Sequence, residues 1–175
     1  MTAKDILERA AEYIGVSVDF TASGEKQTSF LSCLGYILKE LSTQYEQLKQ
    51  EETVTSADGK IPFSAFGKKI VHIHSVKKNG KKIGFSTFPS YVKVGESGEM
   101  TATYSYCLET PTINEAIVLP PKYTEEVLAL GVASEYLHRT GYEEDAHYYG
   151  NRYFTALKNL SVSRKDIVLP GRRYL

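Results

Sequence analysis

The sequence predicts an α+β fold: a small helical bundle, a β-rich insertion between the second and third main helices, and an extended C-terminal arm. Three observations predict it. Apolar residues recur at helical spacing over residues 2–50 and again over 122–160. Between them, over 51–121, the period falls to two and turn dipeptides punctuate the chain. Over 161–175 no period survives. At 175 residues, 42% apolar and 24% charged, the chain suits one compact domain spanning 1–175.

The first segment holds two helices. Ile6, Leu7, Ala10, Ala11 and Ile14 lie at helical spacing, with Thr2 placed as the N-cap and Gly15 as the stop. A polar stretch from Asp19 to Gln27 leads into a longer helix. There Phe30, Leu34, Ile37, Leu41, Tyr45 and Leu48 form one stripe, which Leu31 and Leu38 widen into a broad buried face. Cys33, between Leu31 and Leu34, reads as core.

The insertion reads as a set of hairpins. Asp58-Gly59 sits between Thr53–Ser56 and Ile61–Phe63, and Pro62, which has no N–H to give a ladder, marks an edge. Ile70–Val76 reads as a strand and Ile83–Phe88 as its return. Asn79-Gly80 turns between them, since both residues tolerate the positive φ of a type I′ turn. Lys77, Lys78, Lys81 and Lys82 flank that turn. Tyr91–Val94 and Met100–Tyr106 are expected to pair across Gly95–Gly98, with Met100, Ala102, Tyr104 and Tyr106 on one face.

Pro120-Pro121 ends the extended region and Thr124 caps the next helix. Val127, Leu128, Leu130, Val132, Ala133, Tyr136 and Leu137 leave it few polar positions, so it is central. Ala129, Gly131, Ala133 and Ser134 let neighbours approach closely. Gly141 supplies the left-handed residue after the helix. A second helix follows, with Tyr142, Ala146, Tyr149, Tyr153, Leu157 and Leu160 on one face. Glu143, Glu144 and Asp145 sit in its first turn, where the helix dipole favours acids. The final stretch, 161–175, is a basic arm. Its net charge is +3, against −2 for 1–50, +1 for 51–121 and −2 for 122–160.

Composition and motifs exclude several functions. The formal net charge of zero argues against a free-standing DNA-binding domain, which draws its affinity from surplus basic residues. No apolar run approaches the ~20 residues that cross a bilayer, and the charged start Met1–Arg9 reads as an amphipathic helix start and not as a signal peptide. Cys33 and Cys107 lie far apart and make no metal pair, which fits a reduced intracellular protein. His72 and His74 share a strand face but lack further ligands at a metal-motif spacing, as do His138 and His147. Cys107 has no base beside it in sequence. The chain carries no phosphate loop, dinucleotide fingerprint, nucleophile elbow or zincin motif. A helix-turn-helix over 123–160 would turn three acids toward phosphates, and a solenoid needs about three or more repeats. No catalytic residue, metal or cofactor is therefore assigned. Thirteen tyrosines without a tryptophan, among them Tyr104, Tyr106, Tyr148, Tyr149 and Tyr153, suit core edges or subunit interfaces.

Three stretches carry a resemblance: Val127–Leu137, Thr140-Gly141-Tyr142-Glu143-Glu144-Asp145-Ala146, and Arg152-Tyr153-Phe154. With the order of segments and the tail Leu169-Pro170-Gly171-Arg172-Arg173-Tyr174-Leu175, the chain resembles the head–tail adaptor (connector) proteins of tailed bacteriophages. The resemblance implies a virion structural protein and no enzyme. Such a protein forms a ring with copies of itself, commonly twelve, in the virion neck, after a period in the host cytoplasm. It docks on the portal protein, extends the channel through which genomic DNA passes without sequence recognition, and offers a platform to a tail or neck protein, with no membrane involved. The candidate portal-binding arm is Arg164, Lys165, Ile167, Val168, Leu169, Arg172, Arg173, Tyr174 and Leu175; the lysine hairpin is a candidate contact to DNA or a partner. Its ordinary explanation is a solvated turn whose lysines keep sheet edges apart. Two other classes stand beside the adaptor: a small enzyme with a Cys- or His-based site, and a small nucleic-acid-binding or regulatory module using the arm and the hairpin. Turnover would mark the first, and steep salt-dependent DNA affinity of the monomer the second.

Overall fold

A computed structural model describes residues 1–161, and the arm beyond Ser161 lies outside them. The fold is α+β, with antiparallel sheets inserted between the second and third helices. The described residues form two compact units, one from 1–34 and 111–161, the other from 35–110. The insertion is thus wider at its start than expected and ends earlier.

In the helical unit, α1 (Ala3–Tyr13) begins with a capping box. Asp5 N–H donates to Thr2 Oγ1 at 3.3 Å and Thr2 N–H to Asp5 Oδ2 at 2.7 Å. Ala3, Ile6, Leu7, Ala10 and Ala11 are its buried face, and Gly15 turns away at φ +66°. The segment after residue 110 runs along the start of α1, where Ala3 N–H reaches Glu115 O and Lys4 N–H reaches Ile113 O, both at 2.9 Å. Helix α2 (Glu25–Glu40) contributes Phe30, which stacks on Tyr136 with ring centroids 4.1 Å apart. Helix α3 (Glu125–Thr140) is buried over most of its length, as its sequence demands. Gly141 adopts φ +85° after it, and α4 (Glu143–Ser161) returns against it. Of the small residues, Ser134 meets α4 closely: its Oγ donates to Ala146 O at 2.9 Å, and a Cβ on Gly150 would stand 3.0 Å from Ser134 Oγ. Ala146, Tyr153 and Leu157 are buried, but Tyr142 is 62% exposed, because it precedes the first turn of α4 and so leaves the stripe.

Helix α2 stops at Glu40 and does not reach Leu48. A π-helical turn, Leu41–Tyr45, ends it, closed by Glu46 N–H to Leu41 O at 2.8 Å. The Ser42 and Thr43 hydroxyls donate back to the carbonyls of Leu38 and Lys39, both at 2.8 Å, which competes with the regular ladder. Tyr45 is left exposed, and Leu48 is buried beyond the helix.

The second unit carries two sheets. Strands β1 (Lys49–Ser56), β3 (Lys69–Lys78), β4 (Lys81–Ile83) and β7 (Gly98–Cys107) form one, in the order β1-β7-β3-β4. Strands β2 (Lys60–Pro62), β5 (Phe85–Thr87) and β6 (Tyr91–Val94) form the other, in the order β2-β6-β5. Val54, Ile73, Val76, Met100, Ala102 and Tyr104 of the first share a core with Ile61, Val92 and Val94 of the second. Tyr104 brings its hydroxyl to a partner there, donating to Glu52 Oε2 at 2.5 Å. Pro62 lies on an edge strand, as its missing N–H requires.

Three hairpins were expected, and one forms as such. Asn79 (φ +51°) and Gly80 (φ +77°) turn β3 into β4, pairing Lys77 with Lys82 and Lys78 with Lys81. Asp58 and Gly59 also adopt positive φ, with a bridge between Ala57 and Lys60, but the strands then part: β1 pairs with β7 and β2 with β6. Tyr91–Val94 does not pair with Met100–Tyr106; the loop between them carries the chain from one sheet to the other. The run Ile83–Phe88 likewise divides at Gly84 into β4 and β5 of different sheets. Alternating strands that face one core from opposite sides cannot also lie side by side in the same sheet.

Candidate functional site

The lysine hairpin is built by a tight turn and a short edge strand. The Asn79-Gly80 turn leaves no freedom in register, so Lys77 faces Lys82 and Lys78 faces Lys81 directly across the ladder. Like charges so placed repel. The four lysines nonetheless divide into two kinds. Lys77 Nζ lies 3.1 Å from Glu51 Oε1 on β1, and Lys78 Nζ lies 2.7 Å from Glu96 Oε2 and 3.0 Å from the Ser97 carbonyl oxygen. Lys81 and Lys82 are exposed, and no ion pair reaches either among the described residues. Two of the four charges are therefore matched locally and two are offered to solvent. The carboxylates that make this division, Glu51 and Glu96, were not singled out in the sequence, because Glu51 meets Lys77 only through the non-sequential order β1-β7-β3.

No family model matches the chain, and no curated protein matches it. The candidate site must be weighed on its geometry.

The arm residues Arg164, Lys165, Ile167, Val168, Leu169, Arg172, Arg173, Tyr174 and Leu175 lie outside the described residues. Helix α4, which leads to them, presents Tyr148 and Phe154 outward at 57% and 51% exposure. Tyr148 meets Tyr149 edge-on with centroids 5.1 Å apart, and the Arg152 guanidinium sits 5.7 Å above the Tyr148 ring. Tyr149 stacks on Tyr13 and donates its hydroxyl hydrogen to the Tyr13 carbonyl. Tyr104 and Tyr153, by contrast, are core residues.

The remaining sequence candidates are placed as follows. His72 and His74 lie on β3 with their rings 5.0 Å apart, beside two register irregularities in its pairing with β7. His74 Nε2 is buried without a hydrogen-bond partner, and burial, with Lys49 and His72 nearby, holds this imidazole below its ordinary pKa. Among the described residues no group of three His, Cys, Asp or Glu could hold a metal ion. Cys33 is buried, and desolvation pushes its thiol up to about 11. Cys107 is buried too, with Ser42 Oγ 3.6 Å from its sulfur and Leu108 N–H donating to that hydroxyl at 3.1 Å. A cleft of about 240 Å³ opens beside it, lined by Lys39, Lys69, Glu109 and Thr110. Glu143 of the acidic trio meets His138 at 3.0 Å. No helix among the described residues is long and apolar enough to cross a membrane.

Proposed function

We propose that this protein is a head–tail adaptor of a tailed bacteriophage. It is a virion structural protein that assembles in a ring on the portal, extends the DNA channel and gives the tail its attachment platform, without catalysing a reaction. The observation that carries the reading is the order of parts: two helices, a β-rich insertion, the small-residue helix α3 turned at Gly141 into α4, and a basic arm immediately after. The exposed Tyr148, Arg152 and Phe154 on α4 support it, because tyrosine and arginine at a surface suit contacts between copies. Short apolar runs on that surface favour a ring completed by the portal over a tight oligomer in solution.

The test is assembly. The purified chain is expected to be a monomer or weak oligomer at micromolar concentration by light scattering. Added to portal rings, it is expected to form a second ring visible by electron microscopy. A permanent dimer with a large interface, or no association with portal, rejects the adaptor reading.

A further inference from the structure

From the division of charge at the β3–β4 hairpin we infer that Lys81 and Lys82 form a phosphate-backbone contact for duplex DNA, and that Lys77 and Lys78 do not. The inference deepens the adaptor reading and rests on it for the identity of the polyanion.

The residues 35–110 carry ten basic and eight acidic side chains, so this unit is +2. Lys77 and Lys78 are matched by Glu51 and Glu96. Lys81 and Lys82, at the far end of a turn fixed by two positive-φ residues, are not matched among the described residues. They also stand directly opposite Lys78 and Lys77, whose carboxylate partners Glu96 and Glu51 pair with those two lysines, and the charge of Lys81 and Lys82 stays unneutralised among the described residues. A duplex backbone rather than a protein is favoured by what the tip lacks. Residues 77–82 read Lys-Lys-Asn-Gly-Lys-Lys, with no arginine fork to match a carboxylate and no aromatic or aliphatic anchor to fill a pocket. Lysine is a compact point charge, suited to phosphates read without regard to sequence. A two-stranded β-ribbon also fits the width of the major groove.

Each phosphate neutralised contributes about −0.9 to the slope of log affinity against log salt. The protein is titrated with a long duplex of mixed sequence at salt concentrations from about 20 to about 200 mM. The K81S/K82S variant is expected to lose about 1.8 from the wild-type slope, so that its affinity deficit is about sixtyfold larger at the low-salt end than at the high-salt end. The K77S/K78S variant is expected to keep the slope within about half of one phosphate contact. A third variant, neutral at Arg164, Lys165, Arg172 and Arg173, separates the arm's own contribution and is expected to retain the hairpin's share of the slope. Circular dichroism melts check that all variants fold. No measurable binding by wild type at the low-salt end, equal slopes in wild type and K81S/K82S, or equal losses in the two lysine pairs would overturn the inference. A K81S/K82S protein that binds DNA normally but no longer assembles on portal would also overturn it and assign the tip to a protein contact. Loss of portal docking by wild type with the slopes as expected would reject the adaptor reading and leave the lysine surface standing.

Discussion

At the scale of single residues, most side chains that matter here have a partner the sequence could not name. Tyr104 is legible as core from its place in an alternating strand; that its hydroxyl finds Glu52, whose carboxylate also takes the Gly67 N–H at 3.1 Å to each oxygen, is not. The same holds for Lys77 and Lys78, whose partners depend on which strands become neighbours. Cys33 is legible as core because it interrupts no apolar run. Among the described residues His74 has an unmet need: its Nε2 is buried and unpartnered, with Lys49 on β1 and the His72 ring on β3 near it. Burial, with Lys49 close by, disfavours the protonated ring there. In the unfolded chain the imidazole takes its proton near its ordinary value, about 6.5; in the folded protein it takes it lower. Between the two, the unfolded state binds more protons, so this contribution to stability is present above the ordinary value and is lost as the pH falls through the window below it. Thermal melts of wild type and His74→Phe at pH 7.5 and 5.5 check this. Wild type is expected to lose more melting temperature on acidification than the variant, and equal losses would show that His74 does not carry the dependence.

At the scale of elements, helices were legible nearly to the residue where a cap is written into the sequence, and illegible where it is not. Thr2, Gly15, Thr124 and Gly141 each end a helix as their chemistry dictates. The end of α2 has no such mark; its apolar stripe continues through Leu48, but back-bonding by Ser42 and Thr43 opens a π turn first. Strands show the complementary limit. Positive-φ dipeptides fixed both reversals at Asp58-Gly59 and Asn79-Gly80, since turn chemistry is local. Which strand then becomes a neighbour is decided by the two-sided core, and the chain changes sheet where the local pattern suggested a plain hairpin. The capping box of α1 gives a clean measure of a local signal. Thr2→Ala removes the acceptor for Asp5 N–H, and the bonds between 113–117 and the start of α1 fix where the helix begins. The expected cost is about 1 kcal/mol, read from the midpoint shift in urea at unchanged slope. A change under a few tenths would mean that those backbone bonds alone define the helix start.

At the scale of the whole molecule, charge is distributed by segment. The helical unit through Ser161 holds seven basic and twelve acidic side chains, the residues 35–110 are +2, and residues 162–175 hold four basic and one acidic. A formal charge of zero therefore conceals a strongly acidic helical unit joined to a basic arm. The described residues hold cores of their own. Helix α4 already buries Ala146, Tyr153 and Leu157, α3 is covered along most of its length, and the two sheets share their own core. Deleting residues 162–175 is thus expected to shift the melting temperature of the free protein by no more than a surface change would, within about 0.5 kcal/mol. The adaptor reading asks something further of the same truncation. Arg164, Lys165, Arg172 and Arg173 offer guanidinium and ammonium groups to carboxylates, Ile167-Val168-Leu169 is a run that can add to a partner's sheet edge through main-chain hydrogen bonds, and Tyr174 suits a shallow pocket. If these groups hold the protein on the portal, the truncated chain folds and melts as before but no longer sediments with portal rings. A truncated chain that still docks removes the arm from the docking interface. One that no longer folds assigns the arm to the helical core, and the two outcomes are told apart by circular dichroism and co-sedimentation on the same sample.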